Sequence, residues 1–358
     1  MITAHIDRIG TAVPEYDVHA DFVEFARTLL PDAKTQTVFD RMTERAGIAH
    51  RYSYLRAGKL EAGEVDAEGF YRRGNFPSTA ARMAQYESHA LRLAEKAVAA
   101  LELDDHGVLT HLIVASCTGF TAPGLDLQLV DKLGLRPDIE RTMIGFMGCS
   151  AAVPALRAAH HIVRSDPQAQ VLVLNLELST LHFQETSNIE KVLSFLLFGD
   201  GAAAALVTAE ASGIALDEFR SVVIPASEGF ITWRIGDQGF DMHLSGQVPA
   251  RIMHTLKEEL ERPSAAGMLR GKGLAEIDVW AVHAGGRTVL DAVEAGLQLD
   301  ANALNASRAV LNDYGNMSSA TVMFVLQRLM QTAACGARGL AMAFGPGMVA
   351  ETFRFRLT

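Results

Sequence analysis

Short apolar runs alternate with amphipathic stretches along the whole chain, and few architectures accommodate that alternation. Strand-like runs fall at 112–115, 171–176, 202–207, 222–224, 279–282, 340–344 and 352–357. Helical spacing of apolar residues marks 80–101, 124–133, 151–163, 248–260, 288–295 and 319–332. Repeated switching between period 2 and period 3.6 predicts an α/β protein with helices covering sheets. At 358 residues and 49% hydrophobic, the chain can bury one large core or two fused ones. The polar, glycine-bearing stretch 209–217 falls between two strand-rich parts and is taken as their boundary. Segment 57–79 is polar and glycine-rich and reads as an exposed excursion. Segment 229–244 alternates Ile231, Trp233 and Ile235 before Gly236-Asp237, which suits a hairpin. No internal repeat is visible.

Cys149 carries the strongest chemical signal. An apolar run ends in Gly145-Phe146-Met147-Gly148-Cys149, and an alanine-rich helical stretch follows. A thiol at the first turn of a helix faces unpaired N–H groups and the positive end of the dipole, which favour a thiolate. Taken alone, Cys149 reads equally well as a small buried core cysteine. Two later segments break the tie. The run 279–282 leads into His283-Ala284-Gly285-Gly286, and Asn316 lies in Gly315-Asn316-Met317-Ser318-Ser319 before a helix. A Cys, a His and an Asn then each stand beside glycine at an element end, where side chains point into clefts. Together they supply a nucleophile, a basic partner and oxyanion donors.

Composition narrows the partners. A net charge of −10 with no offsetting basic run argues against nucleic acid. Lys34, Arg41 and Arg45 lie on one short segment, which by itself reads as a solvated helix face. Cys117, Cys149 and Cys335 are scattered, with no metal-ligand spacing and no disulfide framework. The opening residues lack a basic region followed by an apolar stretch, and no apolar run approaches membrane-spanning length. A cytoplasmic protein with neither metal nor membrane insertion is expected. His160, His161, His243 and Cys335 read as packing residues, Cys335 as a buried helix cysteine.

At these residues the chain resembles the type III polyketide synthases, the chalcone and stilbene synthase family. The resemblance rests on Gly148-Cys149, His283-Ala284-Gly285-Gly286, Gly315 to Ser319, Phe198-Gly199-Asp200-Gly201-Ala202-Ala203 and Gly345-Pro346-Gly347. Five ordered motifs are a far stronger signal than any one alone. The resemblance implies a thiolase fold of two similar halves, with sheets layered between helices (αβαβα). Residues 1–212 would carry Cys149, and 213–358 would carry His283 and Asn316. It implies acyl-CoA starters, malonyl-CoA as extender, no cofactor, and a homodimer. It also places Phe198 and Met242 as gatekeepers, Arg41 and Arg45 at the CoA entrance, and Gly345, Pro346 and Gly347 in the pocket. Cys117, Glu177 and Ser318 would hold a water that steers cyclisation, and Ala122 would lie in a loop reaching the partner's pocket.

Departures from the plant pattern point to a bacterial-type member. Met242 replaces an aromatic ring, Ala122 a methionine, Cys117 a threonine, and Val38 one of three basic residues. Smaller or more flexible groups at 242 and 122 predict an enlarged cavity and medium or long fatty acyl starters. A β-ketoacyl-acyl-carrier-protein synthase of the third class shares the Cys-His-Asn trio, but its His-Gln-Ala-Asn signature is absent. A non-catalytic acyl-CoA-binding protein of the same fold is the alternative from another class.

Overall fold

Residue parity along the strands decides how the layers stack. The computed structural model describes residues 2–59 and 63–358. Its strands are β1 (Ala4–Ala12), β2 (Tyr16–Asp17), β3 (Tyr52–Ser53), β4 (His111–Ser116), β5 (Glu140–Gly145), β6 (Val171–Leu178) and β7 (Asp200–Thr208). They continue as β8 (Ile214–Val223), β9 (Ile231–Gly236), β10 (Gly239–Leu244), β11 (Val279–Val282), β12 (Arg338–Gly345) and β13 (Val349–Leu357). The helices are α1 (His19–Arg27), α2 (Ala33–Ala46), α3 (Thr79–Ala99), α4 (Leu125–Lys132) and α5 (Ala152–Ser165). The rest are α6 (Ile189–Leu197), α7 (Val248–Glu261), α8 (Arg287–Leu297), α9 (Asn305–Tyr314) and α10 (Thr321–Thr332).

On β4 and β6, Ile113, Ala115, Val171 and Val173 face one core, while Leu112, Val114, Leu172 and Leu174 face another. The first core also holds α5 and α10, and the second holds α3 and α4. The same division recurs beyond β8. Ala281, Ala341 and Ala343 join α5 and α10, whereas Trp280, Val282, Leu340 and Met342 join α7 and α8. The small alanines on the inner face let the central helices approach the strands closely. The order is therefore helix, strand, helix, strand, helix, the thiolase-type α/β layering.

Nine strands form one sheet in the order β11-β12-β13-β8-β1-β7-β6-β4-β5. Its two arms meet where β1 pairs with β8, over Ala4, His5 and Ile6 only. A bulge between Ile6 and Arg8 shifts the register against β7. It turns Ile9 rather than Arg8 onto the core that Ala4 and Ile6 share.

The expected strands fall within observed ones except at Ile224, one residue past the end of β8, and the expected hairpin is β9–β10, with Met242 opposite Trp233. Strand β1 was not expected, nor were α1, α6 and α9, and of β5 only the apolar run ending at Gly145 was marked. Strand β5 is a sheet edge with mostly exposed residues, so its first half, Glu140-Arg141-Thr142, carries no apolar run. The 57–79 segment needs correction. Residues 60–62 lie outside the described ones, but Asp66, Tyr71 and Phe76 are buried. The Asp66 carboxylate accepts from the Phe70 and Tyr71 backbone N–H groups, and the Tyr71 hydroxyl donates to Thr180 O. Cys335 also departs from expectation. Helix α10 stops at Thr332, and Cys335 is exposed in the turn that follows. Among the described residues no helix is long and apolar enough to cross a membrane, and no group of three or more His, Cys, Asp or Glu is placed to hold a metal.

Candidate active site

The nucleophile candidate sits on a short turn that only small neighbours permit. Gly148–Ser150 forms one turn of 3-10 helix leading directly into α5. Gly148 has φ 58°, and a Cβ there would lie 2.4 Å from Pro346 Cδ. A Cβ on Gly345 would meet Ser150 Oγ at 2.3 Å and Met147 O at 2.8 Å. The two glycine motifs are thus one packing unit. The Gly345-Pro346 loop presses on the turn that presents Cys149.

The other two candidates arrive from the opposite arm. His283 follows β11, and its backbone N–H donates to Met342 O at 2.8 Å. Neither ring nitrogen of His283 has a hydrogen-bond partner, although the residue is 2% exposed. Asn316 is pinned by its backbone: its N–H donates to Leu197 O at 2.8 Å, and its own carbonyl accepts from Gly199 N at 3.0 Å. This explains why the Phe198-to-Ala203 motif matters to the site. The Asn316 amide is fixed as well. Its Oδ1 accepts from Ser318 N at 2.8 Å, and its Nδ2 donates to Gly285 O at 3.2 Å. Nδ2 also lies 3.9 Å from Cys149 Sγ. The two Nδ2 hydrogens thus face Gly285 O and the cysteine sulfur.

Cys149, His283 and Asn316 all line one apolar cavity, together with Cys117, Phe198, Met242, Ser318, Gly345 and Pro346. Its free volume is about 80 Å³. Five other expected site residues lie elsewhere. Ala122 is exposed on its loop, Arg41 and Arg45 are exposed on α2, and Gly347 is outside the cavity lining. Glu177 is fully buried behind the floor.

The expected water-holding group is arranged differently from the expectation. Glu177 accepts from Cys117 N and Thr118 Oγ1, both at 2.9 Å, and from Ser319 Oγ at 2.6 Å. It is Ser319 rather than Ser318 that bonds the carboxylate. Residue 319 begins the α10 approach on the core side, while Ser318 faces the cavity.

Sequence reading missed His182 and Trp233 as cavity residues. The Trp233 indole donates to Cys117 O at 2.8 Å, and its ring meets His182 edge-on at 5.2 Å. His182 stacks on Phe240 at 4.2 Å, bonds Thr118 O through Nε2 at 2.7 Å, and accepts from Phe240 N through Nδ1 at 2.9 Å. Both ring nitrogens are thereby used, with the hydrogen on Nε2. Met242 and its cross-strand partner Trp233 both line the cavity. The alternation of Ile231, Trp233 and Ile235 put an aromatic on one hairpin face but did not tell which face met the cavity.

Electrostatics also correct an expectation. Burial, the largest influence, pushes the Cys149 thiol up to about 11. The Ser318 and Asn316 hydrogen bonds oppose this rise, and the Glu177 charge adds to it. The turn at the start of α5 therefore does not hold a thiolate by itself. Burial likewise drives His283 down to about 3, and buried Glu177 rises to about 7. Burial thus opposes the charged form of each of these three groups.

The whole chain matches the family models for chalcone and stilbene synthases, the N-terminal domain over residues 2–211 and the C-terminal domain over 216–358. The chain therefore belongs to the chalcone and stilbene synthase family, the type III polyketide synthases. It is an acyltransferase of the polyketide synthase kind. Bisdemethoxycurcumin synthase from Oryza sativa subsp. japonica is 34% identical over 98% of this chain and 91% of its own length. PKS-I of the brown alga Ectocarpus siliculosus superposes with a TM-score of 0.86 at 29% identity, covering 100% of this chain and 99% of that one. The 1,3,6,8-tetrahydroxynaphthalene synthase of Streptomyces coelicolor A3(2) does so with 0.84 at 29% identity, covering 99% of each chain.

Proposed function

We propose that this enzyme loads an acyl-CoA starter on Cys149 and extends it by repeated decarboxylative condensation with malonyl-CoA. The extended chain then cyclises to a pyrone, resorcinol or related aromatic polyketide. The observation that carries this reading is the convergence of Cys149, His283 and Asn316 on one apolar cavity, with both His283 ring nitrogens unpaired and the Asn316 amide 3.9 Å from the sulfur. Neutral His283 takes the thiol proton as the sulfur attacks the starter thioester, and CoA leaves as its thiol. Malonyl-CoA then binds. His283 and Asn316 donate to its thioester carbonyl and stabilise the enolate left when carbon dioxide departs. The enolate carbon attacks the acyl carbonyl on Cys149, the cysteine sulfur leaves, and the chain, now two carbons longer and carried by CoA, is transferred back to Cys149 for the next round with release of CoA. No acidic base is needed, because decarboxylation itself makes the carbanion. Asparagine suits position 316 because a neutral amide donates without repelling the enolate.

The remaining assignments follow from this reading. Residues 1–212 supply the nucleophile and 213–358 the His and Asn. Phe198 and Met242 are walls of the acyl cavity. Arg41 and Arg45 on exposed α2 meet the CoA phosphates, and no cofactor takes part. A homodimer is favoured by the exposed apolar edge at β5, where Phe120 stacks on Phe146 at 5.3 Å beside Met143 and Met147. The test is incubation with malonyl-CoA, alone and with a panel of acyl-CoA starters, reading carbon dioxide release and product masses. Release of carbon dioxide and masses rising by successive two-carbon units are expected. Binding without release would leave only an acyl-CoA-binding protein, and a single condensation would favour the carrier-protein-type synthase.

A further inference from the structure

Ile231, Trp233, Met242 and Leu244 line the catalytic cavity from a piece of structure that belongs to neither arm of the large sheet. Strands β9 and β10 form a two-stranded sheet of their own. Such a ribbon is marginally stable by itself, so contacts outside it decide where this wall stands. At the open end of the hairpin, Gly347 N donates to Ile231 O at 3.0 Å. In the middle, His182 stacks on Phe240 and accepts from its N–H at 2.9 Å. Lys191 meets Asp241 at 2.7 Å, but both side chains are more than a third exposed, and such pairs stabilise little.

The turn end is held by a single side chain. Strand β9 ends at Gly236 and β10 begins at Gly239, which face each other across a two-residue turn. Thr79, the first residue of α3, reaches both of them. Its hydroxyl accepts from Gly239 N at 2.8 Å and donates to Gly236 O. Its backbone N–H, one of the donors a helix start leaves open, donates to Asp237 O at 2.8 Å. Three residues further on, Arg82 is fully buried and donates through Nη1 to Leu181 O and Phe183 O, the carbonyls on either side of His182. Gly239 has φ 97°, and a Cβ there would lie 3.0 Å from Arg82 Nε. The first turn of α3 thus grips both the hairpin and the turn that carries His182. Helix α3 itself is packed in the core that holds β4 and β6.

We infer that Thr79 is a positioning residue for the condensation: its hydroxyl fixes the hairpin against α3 and so sets where Trp233 and Met242 stand in the catalytic cavity. It touches no substrate and no reacting atom. The inference rests on the synthase reading above and adds what keeps the two chemical steps coupled. With the wall in place, the enolate left by decarboxylation meets the acyl group on Cys149 before water reaches it. With the wall loosened, water protonates the enolate carbon and acetyl-CoA leaves uncondensed. Decarboxylation needs only the donors His283 and Asn316, so its rate does not depend on the hairpin.

The test compares wild type with Thr79→Val, which keeps the side-chain shape without the hydroxyl, and Thr79→Ser, which keeps the hydroxyl. Thr79 is only half-buried, so both proteins are expected to fold. Hydrogen exchange over residues 231–244 is read by mass spectrometry. Carbon dioxide, acetyl-CoA and polyketide are measured with malonyl-CoA and the most active starter of the acyl-CoA panel. Losing one hydrogen bond shifts an opening equilibrium about twofold to tenfold. Thr79→Val should speed exchange in the hairpin and raise acetyl-CoA released per condensation by that factor, with carbon dioxide release unchanged. Thr79→Ser should restore both. Unchanged exchange in Thr79→Val would overturn the hold on the hairpin. Faster exchange with an unchanged ratio of acetyl-CoA to polyketide would overturn the positioning role, as would a parallel fall in carbon dioxide and polyketide. Those three outcomes leave the synthase reading intact. Wild-type protein that releases no carbon dioxide would overturn that reading and this role together.

Discussion

The arm ending at β5 and the arm ending at β11 run through their strands in matching order. From the seam outward one reads β1, β7, β6, β4, β5, and the other reads β8, β13, β12, β11. The second has no counterpart of β5. Cys117 follows β4 directly, and His283 follows β11. Cys149 precedes α5 and Asn316 precedes α10, each through a short 3-10 turn. The chain reaches the first turn from the edge strand β5 and the second from α9. One scaffold thus delivers a side chain to the same cavity twice, and residue type alone separates nucleophile from donor. The inner faces differ too. Strand β6 carries Asn175 and Glu177, both fully buried, where β12 carries Ala341 and Ala343.

Breaking this division of labour gives the largest expected effect. Cys149→Ala should abolish condensation and keep malonyl-CoA decarboxylation, because the donors of the other arm are untouched. Asn316→Ala and His283→Ala should each cost about 10²–10³-fold in decarboxylation. Carbon dioxide release and polyketide yield, measured side by side, separate the two arms. Condensation by Cys149→Ala at the wild-type rate would sink the assignment, and a loss below about tenfold at Asn316 would count against its role.

A second test asks whether the arms are electrically coupled. With His283 present, the thiol proton has a receiver, and iodoacetamide should inactivate the enzyme at neutral pH. In His283→Ala the thiol proton has no receiver and burial, the largest influence against the thiolate, is opposed by no imidazolium, so the midpoint should move to higher pH. Each unit of upward shift lowers the thiolate fraction at neutral pH about tenfold. Superimposable pH profiles for the two proteins would mean that His283 does not govern the thiol.

The sequence made the trio legible because each member stands beside glycine at the end of an apolar run, a local signal. That helices cover sheets was legible for the same reason, since apolar runs such as 171–176 and 340–344 are a local property of the chain; the five-layer order was what the resemblance implied. What it could not carry was anything settled between distant segments. Trp233 and His182 meet only because the β9–β10 hairpin folds over the turn after β6. The acid held by Ser319 instead of Ser318 depends on which side of a single turn faces the core. The edge strand β5 was marked only at its apolar end because exposure removed the hydrophobic signature of the rest.

The smallest expected effect concerns the buried carboxyl that only one arm carries. Burial raises Glu177 from 4.5 to about 7, so the folded protein holds this proton more tightly than the unfolded chain. Stability from this group is complete below about 4.5, falls as pH rises through about 7, and is flat above. Glu177→Gln keeps an acceptor for Cys117 N, Thr118 or Ser319 but cannot ionise. Any hydrogen bond it loses is a constant offset, whereas the titration is not. The Tm of the variant should therefore gain on wild type as pH rises from 4.5 to 7.5, by a few degrees at most for a chain of this size. Thermal unfolding across that range decides it. A difference in Tm that stays constant with pH would mean that Glu177 is ionised throughout. The donors from Cys117, Thr118 and Ser319 would then hold its charge against the burial that β12, with alanines in the same layer, never has to oppose.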